Sequence, residues 1–295
     1  MDMKGGRTWL ASLLPWTISS AALVYVFGYA IDWKAIPGAS SNANLPLFIA
    51  ITVADKCLFF AFWGIVQTAL LRRFVGPITL RGVIAVKGGS ELLRAVNNPV
   101  ADAAFLLGVA EIARGNRRVA VAVASIPFGL HFLVLLLQAT LSLSLLVGGA
   151  AGNLDVVALI LAGWGGVAVI ALAVRLGWWH RLLEILGVAR QLGQLRARQL
   201  LPFVGWFILF AAFDVLIQGS ATRAFGVPIG WSELIARLPI LYVVMSLPSL
   251  GNFGTREIAW AQCFSEFGST EALTAFALWT NVIFLCMHVL IGVFF

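Results

Sequence analysis

The sequence predicts an all-α polytopic membrane protein, with about six full spans and two re-entrant helical hairpins arranged as an inverted-topology repeat. Three observations predict it. Of 295 residues, 61% are hydrophobic and only 11% charged, a balance outside the range of soluble globular domains. Apolar runs of about 20 residues, enough to cross about 30 Å of hydrocarbon, recur along the chain. Lys and Arg, which give a net charge of +7, gather in particular connections. That is the positive-inside pattern of membrane proteins, and no nucleic-acid partner is expected.

The first span covers about residues 10–31. Lys4 and Arg7 precede it, but the run is long and lacks a small-residue cleavage site, so it reads as a retained span rather than a signal peptide. Further spans follow near 46–71, 119–147, 154–176, 200–219 and 271–294. Arg72, Arg73 and Arg81 follow the second span, Arg114, Arg117 and Arg118 precede the third, and Arg175, Arg181, Arg190, Arg196 and Arg198 lie between the fourth and fifth. These connections are expected inside. Segment 32–45 holds only Lys34 as a basic residue, 148–153 none and 220–230 only Arg223, so these are expected outside. Both termini then fall on the cytoplasmic side of a bacterial inner (cytoplasmic) membrane.

The second span ends inside and the third begins inside, so the 40 or so residues between them must leave and return on one side. Two short helices fit, at about 80–96, interrupted by Gly88 and Gly89, and at about 99–113, with Asn98 as N-cap and Pro99 in the first helical position. At 1.5 Å per residue each reaches only about 22 Å, too short to cross. The pattern repeats after the fifth span, at 231–247 and 256–267, with Pro248, Gly251 and Gly254 breaking the chain between. Residues 1–150 therefore form a first repeat (two spans, hairpin, span) and 151–295 a second of the same order and opposite sense. Inverted repeats with broken helices characterise secondary transporters. No large soluble domain is expected between or after the spans.

Each hairpin carries an acid and a base at its break: Glu91 and Arg94 in the first, Arg256 and Glu257 in the second. Charge at membrane depth costs several kcal/mol unless paired, so it marks function by default. Glu91 and Arg94, three apart, can pair with each other; Arg256 and Glu257, adjacent, cannot. With Thr255 as N-cap, Arg256 falls in a first helical turn, where unpaired N–H groups already attract anions. A guanidinium there suits a phosphate or carboxylate, with Gly251, Asn252 and Gly254 letting backbone approach the ligand. The alternative is a clamp, Arg256 to Glu91 or Arg94 to Glu257. Asp55, next to Lys56, and Asp214 stand at comparable places in the two halves and, with Asp102, are candidate proton carriers or counter-charges.

Cys57, Cys263 and Cys286 show no metal or disulfide spacing and read as packing residues. His131, His180 and His288 carry less weight. The small residues Ala158, Ala162 and Gly166, four apart, read as a helix-packing face, and Trp9, Trp16, Trp178 and Trp179 as interfacial anchors. No phosphate-binding loop, HExxH or GxSxG motif occurs, so no catalytic residue, cofactor or metal is assigned.

The two hairpin motifs resemble those of the transmembrane region of lysylphosphatidylglycerol synthetases, a flippase-type domain also found free-standing. That family's second hairpin reads Pro, small apolar residues, then Gly-x-Gly-x-Arg-Glu; "PSLGNFGTRE" matches it in Pro248, Gly254, Arg256 and Glu257, with Asn252 where the first Gly is usual. Its Gly-Glu-x-x-Arg element is matched by "SELLR" in Glu91 and Arg94, with Ser90 for the Gly. The resemblance implies translocation or binding of a membrane lipid with an anionic headgroup or lipid-linked phosphate. It also implies that the aminoacyl-transferring domain is missing. The expected function is therefore a lipid transporter or flippase. The alternatives are a membrane enzyme acting on a lipid-linked phosphate, or a non-transporting partner of a lipid synthase that docks through the basic loop 180–199. A homo-oligomer is a further possible assembly.

Overall fold

The computed structural model describes residues 37–38, 40–95, 97–113, 117–145, 154–178, 181, 197–245 and 254–295. The expected first span, most of the basic loop 180–199, and the linker with Pro248, Gly251 and Asn252 lie outside the described residues. Among the described residues the fold is all-helical: α1 (Leu45–Phe74), α2 (Leu80–Arg94), α3 (Asn98–Ile112), α4 (Arg117–Leu145), α5 (Leu154–Arg175), α6 (Ala197–Ala224), α7 (Trp231–Met245), α8 (Thr255–Cys263) and α9 (Thr270–Phe294). Four of them, α1, α4, α6 and α9, are long and apolar enough to cross a membrane, and α5 has a shorter apolar stretch, Ile160–Ala173.

Local chemistry sets the helix starts. Asn44 accepts a hydrogen bond from the Leu47 N–H (3.2 Å), Thr79 from Gly82 (3.1 Å) and Ser269 from Ala272 (3.2 Å), each satisfying a donor that the first helical turn leaves free. Two expectations at the first hairpin need correction. Its second arm is capped by Asn97, which accepts from the Val100 N–H (3.1 Å), one residue before the expected Asn98. The first arm is not interrupted at Gly88 and Gly89; α2 runs through both. A Cβ at Gly88 would strike the ring of Phe295, so that glycine lets α9 approach α2 rather than breaking the helix.

The helices pack in a pattern that exchanges its two halves. α2 packs on α3 and on α9, and α7 packs on α8 and on α4. α3 packs on α4, as α8 does on α9; α1 packs on α9, as α6 does on α4; α1 packs on α2, as α6 does on α7; α1 and α6 pack on each other. The packing of α1 on α4 has no counterpart of similar extent. The hairpins open toward opposite ends of α1. Arg72 Nε, at the end of α1, donates to the Ile78 carbonyl just before α2 (2.7 Å), and Arg117 at the start of α4 reaches Glu111 near the end of α3 (2.9 Å). At the other end, the Asn44 N–H donates to the Ala224 carbonyl (2.8 Å) and Arg223 to the Ile229 carbonyl just before α7 (3.1 Å).

One apolar cluster is built mainly from α6 to α9, including Phe225, Leu241, Trp260 and Phe276, with Phe48 from α1. Another is built from α1 to α4, including Trp63, Val83, Phe105 and Val123, with Phe203 and Phe207 from α6. On α1, Asp55 and Lys56 sit midway between Phe48 and Trp63, about 10 Å from each. On α5, Ala158, Ala162 and Gly166 are exposed, correcting the expected packing face; Ile160, Trp164 and Val167 face the body instead. Cys57 and Cys286 are also exposed, and only Cys263 packs on a core cluster. The outward face of α6, with Leu201, Ile208, Phe213 and Leu216, suits lipid, where an apolar side chain exchanges one apolar neighbour for another.

Candidate functional site

Between the two apolar clusters lies a layer of charged side chains drawn from five helices, joined by polar side chains of α7 and α9. Adjacent helical residues point about 100° apart, so Asp55 and Lys56 serve different sides of α1. Lys56 turns to α2, where its ammonium donates to Glu91 Oε2 at 2.9 Å. Glu91 is 1% exposed and shares one face of α2 with Lys87, four residues before it, and Arg94, three after. Lys87 Nζ lies 3.5 Å and Arg94 Nε 3.3 Å from Glu91 Oε1, and His288 Nδ1 of α9 lies 2.6 Å from Oε2. Arg94 also bonds Asp102 of α3, tying the hairpin arms together. Aromatic rings of Phe60, Trp63 and Phe105 surround the Lys87 ammonium.

Asp55 turns the other way, to α6. Gln218 Nε2 lies 3.4 Å from Asp55 Oδ2 and 3.5 Å from Asp214 Oδ1, so one amide bridges two carboxyl groups. Tyr242 of α7 brings its hydroxyl beside Asp214. Asp214 and Tyr242 are half-buried, Asp55 and Gln218 buried.

At the second hairpin the N-cap of α8 is Gly254 rather than the expected Thr255, at φ 85° and ψ −51°. Glycine has no side chain to cap with, so the first turn is satisfied from the other direction: the Gly254 N–H donates to Glu257 Oε2 at 2.7 Å. Asn281 Nδ2 of α9 donates to Glu257 Oε1 at 2.8 Å. Arg256 is 8% exposed, and its Nε has no hydrogen-bond partner among the described residues. Its guanidinium lies 4.9 Å from the Phe284 ring and has Tyr242, Glu257, Asp55 and Asp214 as charge neighbours. The expected clamps, Arg256 to Glu91 and Arg94 to Glu257, do not form among the described residues, because Glu91 is taken by four cationic or imidazole groups and Glu257 by its own helix start and Asn281.

The fold thus brings together eight of the ten expected site residues: Asp55, Glu91, Arg94, Asp102, Asp214, Gly254, Arg256 and Glu257. Gly251 and Asn252 lie outside the described residues. Lys87, Gln218, Tyr242, Asn281 and Phe284 were missed, and Lys56 and His288 underweighted. The signal for three of them was helical spacing on α9: Asn281, Phe284 and His288 recur at i, i+3 and i+7, one face, and meet Glu257, Arg256 and Glu91 respectively. Phe284 also lies 5.9 Å from the Lys56 ammonium, so its ring neighbours a cation of each charge group.

No protein-family model matches the chain, and neither does any curated protein or solved structure. What the site can do follows from its charges alone. Around Glu91 three cations face two carboxylates, Glu91 and Asp102; around Arg256 one cation faces three, Asp55, Asp214 and Glu257. One side of the layer has positive charge to spare and the other negative. Among the described residues no group of three His, Cys, Asp or Glu side chains is placed to hold a metal ion.

Proposed function

We propose that the chain is an integral membrane lipid transporter of flippase type, taking an anionic lipid headgroup where the tips of its two hairpins meet. One observation carries the proposal: Arg256, in the first turn of α8 and 92% removed from solvent by its 8% exposure, keeps an Nε donor with no acceptor among the described residues. A buried donor left open costs about 1–3 kcal/mol, so the fold retains it for an acceptor that comes and goes. A lipid phosphodiester supplies oxygen acceptors and negative charge together.

The architecture we propose is an inverted repeat of six spans and two re-entrant hairpins, set in the cytoplasmic membrane with the Arg-rich connections and both termini inside. Supporting it are the exchange of packing partners between the two halves, the opening of the hairpins toward opposite ends of α1, and 15-residue arms in α2, α3 and α7 that fall short of the hydrocarbon thickness. The resemblance to lysylphosphatidylglycerol synthetase transmembrane regions points the same way.

The test uses Arg256→Lys and Arg256→Ala in the purified full chain, with binding of phosphatidylglycerol and of phosphatidylcholine measured in detergent micelles and folding checked by thermal unfolding. Arg256→Lys keeps the charge but loses the planar fork, and phosphatidylglycerol binding should fall about tenfold while the fold is retained. Unchanged phosphatidylglycerol binding by folded Arg256→Ala would sink the proposal.

A further inference from the structure

We infer that Asp55 and Asp214 form a shared proton site whose occupancy decides whether Arg256 is available to the headgroup. This rests on the headgroup site proposed above and adds its energy coupling. The geometry comes first. Two carboxyl groups on helices that exchange places in the packing pattern, α1 and α6, are bridged by one amide, with Gln218 Nε2 at 3.4 and 3.5 Å. An amide nitrogen has two hydrogens and can serve both, but it carries no charge to offset theirs. The cation on this side of the layer is Arg256, which has them and Glu257 as charge neighbours and whose Nε has no partner among the described residues.

Among the described residues no other element brings the pair a cation that is not already ion-paired elsewhere, although the Lys56 charge also acts on Asp55. Lys56, next to Asp55 on α1, is committed to Glu91. On α2, Lys87 and Arg94 are held at the same carboxylate, and Arg94 also at Asp102 of α3. From α7 comes the Tyr242 hydroxyl, from α8 Glu257 beside Arg256, and from α9 Asn281 on Glu257 and His288 on Glu91. His131 of α4 sits among Trp63 and Phe207, about two helical turns along α1 from Asp55. With both carboxylates ionised, their charge acts on Arg256. Bridged by one amide nitrogen, the two carboxyl groups are placed to share a proton.

The cycle balances in charge and atoms. A proton from water on the side where the site is open settles on a carboxyl oxygen of the pair, releasing Arg256 from part of its attraction. The headgroup then brings one negative charge to the guanidinium. Proton and headgroup enter together with no net charge and leave together on the other side. Linkage makes the coupling reciprocal: lower pH tightens headgroup binding, and headgroup binding takes up a proton.

The experiment measures phosphatidylglycerol affinity of the full chain in micelles over the pH range in which it stays folded, together with proton uptake on adding lipid in weak buffer, read with an indicator dye. The expected result is an affinity that rises up to about tenfold per unit fall in pH, with about one proton taken up per lipid. Asp214→Asn, at the more open of the two positions, should abolish the slope and hold affinity at its low-pH value; Asp55→Asn gives the same answer if Asp214→Asn fails to fold. Wild-type binding that is intact but independent of pH would overturn the proton site and leave the headgroup proposal standing. So would a slope that survives both substitutions or that follows sodium instead of protons. Absence of phosphatidylglycerol binding at every pH would remove both proposals.

Discussion

At φ 85° and ψ −51°, Gly254 occupies a backbone region that residues with a Cβ rarely enter. Alanine there should cost about 1–3 kcal/mol and loosen the start of α8, which positions Arg256 and Glu257. Gly89 offers the opposite case. It is helical, and a Cβ built on it meets nothing within 4 Å. Gly89→Ala should leave stability unchanged or raise it by up to about 1 kcal/mol, since glycine is the poorer helix former. Thermal unfolding of the two variants in detergent checks both; a large loss in Gly89→Ala would show that α2 needs a break there after all.

Among elements, the second hairpin shows how a clamp is built away from the charge layer. Arg237 of α7 donates to the Cys263 carbonyl at the end of α8 (2.7 Å) and reaches Glu266 (2.9 Å) and Glu233 (3.4 Å). Its ring neighbour is Phe267, 5.0 Å away. Arg237 thus ties the two arms of the second hairpin at its open end; it does not replace the expected bridge between the two hairpins. Both glutamates are substantially exposed, so the ion pairs count for little and the carbonyl bond for most. Arg237→Ala should cost about 1–2 kcal/mol and lower the melting temperature, with Arg237→Lys recovering part of the loss. An unchanged melting temperature would mean that the arms are held by apolar contact alone.

For the whole molecule, the hairpins opening at opposite ends predict which positions share a side. Exposed sites at the open end of the first hairpin and the start of α4, Arg81, Glu111 and Arg118, should label together as single cysteines, from the inside. Ser232 and Glu271, at the open end of the second hairpin and the start of α9, should label only from outside. The background needs Cys57, Cys263 and Cys286 replaced, and the exposed Cys57 and Cys286 should tolerate it best. Finding Arg81 and Arg118 on opposite sides would turn the first hairpin into a crossing and end the inverted-repeat proposal.

Helix positions were legible in the sequence, most of them to within a few residues at each end: 46–71 became Leu45–Phe74, 271–294 became Thr270–Phe294, and the short arms at 80–96 and 99–113 became Leu80–Arg94 and Asn98–Ile112. The physical reason is local. A helix in lipid satisfies its own backbone, so apolar length, caps and glycine or proline punctuation decide where it runs. Charge inside apolar stretches was legible for the same reason, which is why Asp55, Glu91, Arg94, Asp102, Asp214, Arg256 and Glu257 stood out. Their partners did not. Lys56 to Glu91 spans 35 positions, Gln218 to Asp55 163 and His288 to Glu91 197. When nearly every face of a helix is apolar, hydropathy does not encode which face turns inward. Only the packing of α1 against α2, α6 and α9 decided that Glu91 would be enclosed by four partners and that Asp55 would share an amide with Asp214.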